Sequence, residues 1–126
     1  MNKDYNNEVK EKWSNTSQYQ EHQEKTKNYS KEKWITLENE MNEIFKKFSI
    51  YMKNNKPYTS KETQDLVLIL KKHISHNYYT CTNTILLSLG QIYVCDERFK
   101  RNIDINGDGT ANYVCNAIEE YCENNI

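Results

Sequence analysis

Apolar positions along this chain fall into blocks with helical spacing. Trp34, Leu37, Met41, Ile44, Phe48 and Tyr51 recur at alternating intervals of three and four. That rhythm lays one continuous stripe along a helix. Phe45 and Met52 widen the stripe, Ser30 is placed to cap it, and "NNKPY" (54–58) stops it near Asn54. The stripe lasts only about three heptads, so core packing is expected rather than a coiled coil. Thr59 and Glu62 then have the spacing of a capping box. The helix they open carries Leu66, Ile69, Leu70, His73 and Ile74 on its inward face. After the connection "HNYYTCTNT" (76–84), "ILLSLGQIYV" (85–94) is apolar nearly all round and is predicted to be the most buried helix. Asp96 can cap a short helix, "ERFKRNI". After a glycine turn, Ala111, Val114, Cys115, Ile118 and Cys122 line one face of a last helix. No β-type alternation persists, and the chain has three glycines and one proline, so an all-α fold follows.

The first part of the chain has a different pattern. Residues 5–29 are very polar, with Val9 as their one aliphatic residue and Tyr5, Trp13, Tyr19 and Tyr29 as their remaining apolar surface. Asn15 with Gln18 has capping-box spacing for a short helix. Such a segment has little to pack with, so it is expected to be marginal alone. The predicted organisation is an N-terminal arm or lid over residues 1–29 on a helical core over 30–126.

Composition narrows the function classes. The 126 residues suffice for one domain with one modest core. Charged residues make up 28%, and mean hydropathy is −1.00. Aromatic residues reach 12%, ten of them tyrosine, which is too many for simple disorder. The formal charge of −1 gives no basic footprint for direct nucleic-acid contact. No signal peptide is legible, and "LVLIL" (66–70) is far too short to span a bilayer, so a cytoplasmic protein without membrane contact is expected. The four cysteines, Cys81, Cys95, Cys115 and Cys122, are then expected as free thiols, with no CxxC pair for zinc.

"DINGDG" (104–109) reads like the opening of a calcium loop. Its twelfth position would be Cys115, where a bidentate acid is needed, and a thiolate suits a hard cation poorly. Asp108 as a helix cap, with Gly107 and Gly109 allowing the turn, is the simpler reading. His73 and His76 lack a carboxylate at ligand spacing, and no nucleophile–base pair is legible. No metal, cofactor or enzyme activity is therefore expected. What remains is aromatic abundance without a matching aliphatic core. Tyr78, Tyr79, Tyr93 and Phe99 lie near the apolar helix, and Trp13, Tyr19 and Tyr29 lie in the arm. Aromatic side chains supply large contact area with a polar tip, which suits a cleft for a bulky, partly apolar ligand. They equally suit a thin core completed by tyrosine.

Two stretches carry a family likeness. "EVKEKWSNTSQYQEHQEKTKNYSKEKW" (8–34) and "YYTCTNTILLSLGQIYVCDERFKRNID" (78–104) resemble the TipAS antibiotic-recognition domain, the effector-binding half of TipA-type MerR-family regulators. The matching residues are Trp13, Asn15, Thr16, Tyr19, Tyr29 and Trp34, then Cys81, Leu89, Gly90, Tyr93, Val94, Asp96, Arg98 and Phe99, and finally Ala117 and Ile118. The resemblance implies a single-domain, globin-like helical bundle without heme. It also implies a cleft for large hydrophobic antibiotics such as thiopeptides, over which the N-terminal segment folds. The implied ligand-binding residues are Trp13, Tyr19, Tyr29, Trp34, Tyr78, Tyr79, Cys81, Ile85, Ser88, Leu89, Tyr93 and Phe99. Ser88 stands where members that bond thiopeptides covalently have cysteine, and a serine without a base is a poor nucleophile. The cleft is expected between the long helix (30–54) and the central helix (82–94). A DNA-binding MerR domain is the implied partner if the chain is part of a longer regulator; alone, it would sequester the drug. A small helical protein–protein interaction module is the alternative.

Overall fold

The computed structural model describes residues 17–125 and holds six helices among them. They are α1 (Ser17–Thr26), α2 (Lys31–Lys53), α3 (Lys61–Asn77), α4 (Asn83–Cys95), α5 (Glu97–Asp104) and α6 (Thr110–Asn124). Trp13 and the Asn15 half of the proposed capping box lie outside the described residues.

Four helices start where a side-chain oxygen accepts an otherwise unpaired backbone N–H. Ser30 Oγ accepts from Lys33 N at 3.1 Å, Thr82 Oγ1 from Ile85 N at 3.2 Å, and an Asp96 carboxylate oxygen from Arg98 N at 2.9 Å. Each such cap contributes about 1 kcal/mol. At α3 the cap is Ser60, whose Oγ accepts from Thr63 N at 3.3 Å, not Thr59. The start shifts by one residue because Ser60 also donates to Thr63 Oγ1 at 2.9 Å, and Thr63 is fully buried.

The last helix opens differently from expectation. Asp108 makes no cap; the N-cap is Gly109, in the left-handed region at φ 89°. Asp104 instead reaches forward, and its Oδ1 accepts from Ala111 N at 2.8 Å. Gly107 is required for a second reason. A Cβ there would lie 2.7 Å from both Lys53 Cε and Ser49 Oγ. Those two side chains approach because they donate to Asn106 O, at 2.7 Å from Lys53 Nζ and 2.8 Å from Ser49 Oγ. "DINGDG" therefore joins α2, α5 and α6 through the chain's own donors.

The core gathers around α6, which packs on α2, α3, α4 and α5. Phe48, Val67, Leu70, Leu86, Ala111, Val114, Ala117 and Ile118 are wholly removed from solvent. The sequence prediction that residues 85–94 form the most buried helix does not hold. α4 buries Leu86, Gly90 and Tyr93, whereas α6 buries eight residues. α4 leans on α6 and α5, but it hardly approaches α2 among the described residues. Among the described residues, Ile85, Leu89 and Ile92 on one of its apolar faces are only half-buried. Ile69 also departs from its inward assignment and is 50% exposed, because Leu66, Val67 and Leu70 take the buried side of α3.

Candidate functional site

Two aromatic clusters flank a strip of α2, and α4 carries a half-buried apolar face. On α2, Trp34, Glu38, Met41 and Phe45 follow one another at intervals of four, three and four. On an ideal helix they fall within a strip about 60° wide and about 16 Å long. This strip lies beside the buried stripe of Leu37, Ile44 and Phe48. On α4, Ile85, Leu89 and Ile92 share a half-buried face beside Tyr93. Gly90 and Gln91 turn to the opposite side, where Gly90 lies against Cys115 and Ile118, and Gln91 donates to Glu119 at 3.1 Å.

At one end of the α2 strip lie Phe45, Tyr93 and Phe99. The Phe45 and Tyr93 rings meet edge to face at 5.4 Å, and Tyr93 and Phe99 are 6.0 Å apart. The other end is built where α1, the start of α2 and the end of α3 converge. Trp34 meets Tyr29 edge to face at 5.4 Å and Tyr78 at 6.1 Å. His22 stacks on Tyr78 at 6.2 Å, and His73 approaches the same ring at 6.2 Å. Trp34 remains 40% exposed despite these neighbours. Its place in the apolar stripe is therefore only partly a core position. Burial is the main cause that raises the Tyr78 phenol above its ordinary value; the neighbouring Tyr29, Glu38 and Glu40 add to it.

Helix α1 is docked at this end by polar contacts. Glu21 accepts from Thr80 N at 2.6 Å and from Thr80 Oγ1 at 3.0 Å. Lys25 donates to Ser75 O at 2.6 Å and pairs with Glu21 at 3.2 Å. Tyr29 donates its hydroxyl to Asn77 O at 2.6 Å. These carbonyls belong to the last turn of α3, where they lack helical partners and attract donors. The backbone hydrogen bond from Thr80 is the largest cause holding the Glu21 carboxyl below its ordinary range. Burial lowers the His22 imidazole. Sequence reasoning did not single out Glu21, His22 or Lys25. The Glu21–Lys25 spacing was visible, but a pair four apart on a polar helix points ordinarily to solvent.

The named site residues separate into three groups. Tyr29, Trp34, Tyr78 and Tyr79 gather at the α1 end, with Tyr79 buried under His22, 6.2 Å away. Ile85 and Leu89 lie on α4, and Tyr93 and Phe99 lie at the far end. Tyr19 is half-buried on α1, accepting from Gln23 at 3.1 Å. Ser88 sits at the outer edge of α4, exposed, with its hydroxyl turned back to Thr84 O at 3.2 Å. Cys81 is not brought to the surface. It is 2% exposed, and burial pushes its thiol up to about 11. A thiol so seldom ionised is a poor nucleophile.

The helical order defines a class, the all-α globin-like domain. The chain belongs to the TipAS antibiotic-recognition family, whose model matches residues 5–121. It is 38% identical over 114 residues to the HTH-type transcriptional activator TipA of Streptomyces coelicolor and that of Streptomyces lividans. That match covers 90% of this chain and 45% of TipA. It is 33% identical over 104 residues to the transcriptional activator mta of Bacillus subtilis, covering 82% of this chain and 40% of mta. The chain thus spans less than half the length of these curated relatives. Among solved structures it resembles TipAS of Streptomyces lividans in complex with nosiheptide, with TM-score 0.84, 35% identity and coverage of 97% and 85% of the two chains. It also resembles the antibiotic-binding domain of a TipA-class multidrug resistance transcriptional regulator. That likeness has TM-score 0.66, 31% identity and coverage of 71% and 95%. Among the described residues, no helix is long and apolar enough to cross a membrane.

Proposed function

We propose that this domain binds a bulky hydrophobic antibiotic of the thiopeptide kind, without a covalent bond, in the groove between α2 and α4. One observation supports this reading: among the described residues Ile85, Leu89 and Ile92 of α4 stay half-buried, and the Phe45–Tyr93 contact joins that helix to the α2 strip that bears the exposed Trp34. Half-buried apolar side chains flanked by aromatic clusters are the kind of lining that small-molecule sites use. Cys81 is buried and Ser88 is no thiol, so capture rests on contact alone. In the cytoplasm, ligand binding would act on an attached DNA-binding MerR domain; a free-standing chain would sequester the drug. Residues 1–29 serve as a lid whose foot is α1, fixed on α3.

The test is a titration with nosiheptide, followed by tryptophan fluorescence and amide NMR, with intact mass on the same sample. Saturable quenching, shifts at Trp34, Tyr78 and Leu89 and an unchanged mass support the reading. Trp34→Ala should weaken binding by about tenfold or more, as loss of an aromatic anchor does, with helicity and thermal stability as folding controls. An unperturbed spectrum together with concentration-dependent self-association in the ultracentrifuge would favour the interaction module instead.

A further inference from the structure

The α1 end of the groove carries an electrostatic asymmetry. Glu38 lies one turn after Trp34 on the α2 strip and is near enough to Tyr78 to act electrostatically on its hydroxyl. Every other residue of that strip is apolar, and Glu38 has no ion pair or hydrogen bond among the described residues. The opposite wall offers it nothing: α4 contains no Asp, Glu, Lys or Arg from Asn83 to Cys95. Three lysines of α1, α2 and α3 are engaged elsewhere. Lys25 is held by Ser75 O and Glu21, Lys33 lies over the Tyr29 ring at 5.5 Å, and Lys71 is held by Asn83 at 2.7 Å. A second acid, Glu40, sits 3.4 Å from His73 Nε2. His73 Nδ1 is buried with no partner among the described residues, and the His73 side chain retains only 10% of its exposure. Tyr29, Trp34 and Tyr78 add electron-rich ring faces, which attract cations.

We propose that this end of the groove selects ligands bearing a positive charge next to aromatic rings, and that Glu38 is the residue that reads the charge. The inference rests on the groove being the ligand site, and it narrows the ligand class from bulky apolar compounds to lipophilic cations. Glu38 on a partly apolar wall loses little by exposure when the site is empty. A bound organic cation shields it from water and strengthens the attraction. No reaction is involved; the selection is by contact.

The experiment compares tetraphenylphosphonium with its neutral analogue triphenylphosphine oxide, and with nosiheptide, on wild type and on Glu38→Gln. This substitution keeps the side-chain size at an exposed position, and helicity and thermal stability serve as folding controls. The cation should bind wild type more tightly than the neutral analogue. Glu38→Gln should weaken cation binding roughly fivefold and bring it close to the affinity for the neutral analogue. Raising the salt concentration should weaken the cation alone. Equal affinities for the cation and its neutral analogue, or an unaltered cation affinity in Glu38→Gln, overturn the proposal. If nosiheptide binds and the cation does not, the groove stands as a drug site and the charge selection falls. If the cation binds and nosiheptide does not, the charge selection stands and the thiopeptide reading falls. Failure of all three to bind overturns both.

Discussion

α4 and α6 use their apolar residues in opposite ways. α4, NTILLSLGQIYVC, is by far the more apolar sequence, yet only Leu86, Gly90 and Tyr93 are buried. α6, TANYVCNAIEEYCEN, is interrupted by Asn and Glu and buries eight of its residues. The difference lies in the neighbours. α6 is surrounded by α2, α3, α4 and α5, so each apolar position finds a partner. Among the described residues, α4 packs chiefly on α6 and α5. The lesson is that a helix apolar all round is a helix that must be covered, and the fold itself need not supply the cover. A ligand-binding protein leaves part of that covering to its ligand, while a structural helix such as α6 is completed by its own chain.

The sharpest way to break this comparison is to remove equivalent methyl groups from the two helices. Ile118 is fully buried in α6, and Ile118→Ala should cost about 3 kcal/mol through lost transfer energy and a cavity. Leu89 is half-buried in α4, and Leu89→Ala should cost less than about 1 kcal/mol, since a site open to solvent leaves no cavity. Denaturant unfolding of the two variants measures both. Equal losses would mean that the α4 face is covered after all.

A weaker and reversible perturbation separates the arm from the core. The His22 imidazole is held below its ordinary 6.5 by burial, so folding favours the neutral ring. Its contribution is complete above pH 6.5 and is lost as the pH falls from there through the lowered value. The Glu21 carboxyl is held below its ordinary 4.5, so its contribution is present above that pH and is lost as the pH falls through the lowered value. Both therefore loosen α1 in the same direction. Amide hydrogen exchange should quicken over α1 on going from pH 7 to pH 5 and quicken again toward pH 4, relative to the intrinsic rates. α6 amides should stay protected throughout. Uniform loosening of both helices would mean that the arm is part of the core's cooperative unit.

The smallest effect should appear in thiol labelling. Cys95 is exposed, whereas Cys81, Cys115 and Cys122 are buried. Burial pushes Cys81 and Cys115 up to about 11 and also raises Cys122. Iodoacetamide at pH 8 should therefore add one label quickly, at Cys95, with the other three following only on unfolding. Rapid labelling of Cys81, read by peptide mapping, would place that thiol in the groove after all.

The three-and-four spacing of Leu37, Ile44 and Phe48, the caps at Ser30 and Asp96 and the breaker at Asn54–Pro57 were enough to set the helical order. Local hydrogen bonds and side-chain periodicity decide such features, and both are written in neighbouring residues. The pattern of Trp, Tyr, Leu-Gly and Arg-Phe positions was enough to point to the TipAS family, which residues 5–121 match. Tertiary structure decided what depends on distant partners. It placed Asp104 rather than Asp108 at the start of α6, seven residues away through the turn. It set α1 on the end of α3 through Glu21, Lys25 and Tyr29, contacts that span 48 to 59 residues of sequence. It buried Cys81, exposed half of Ile69 and, among the described residues, left Ile85, Leu89 and Ile92 of α4 half-buried. Periodicity tells which face of a helix is apolar. Only the arrangement of the other helices tells whether that face is covered by protein or kept for something else.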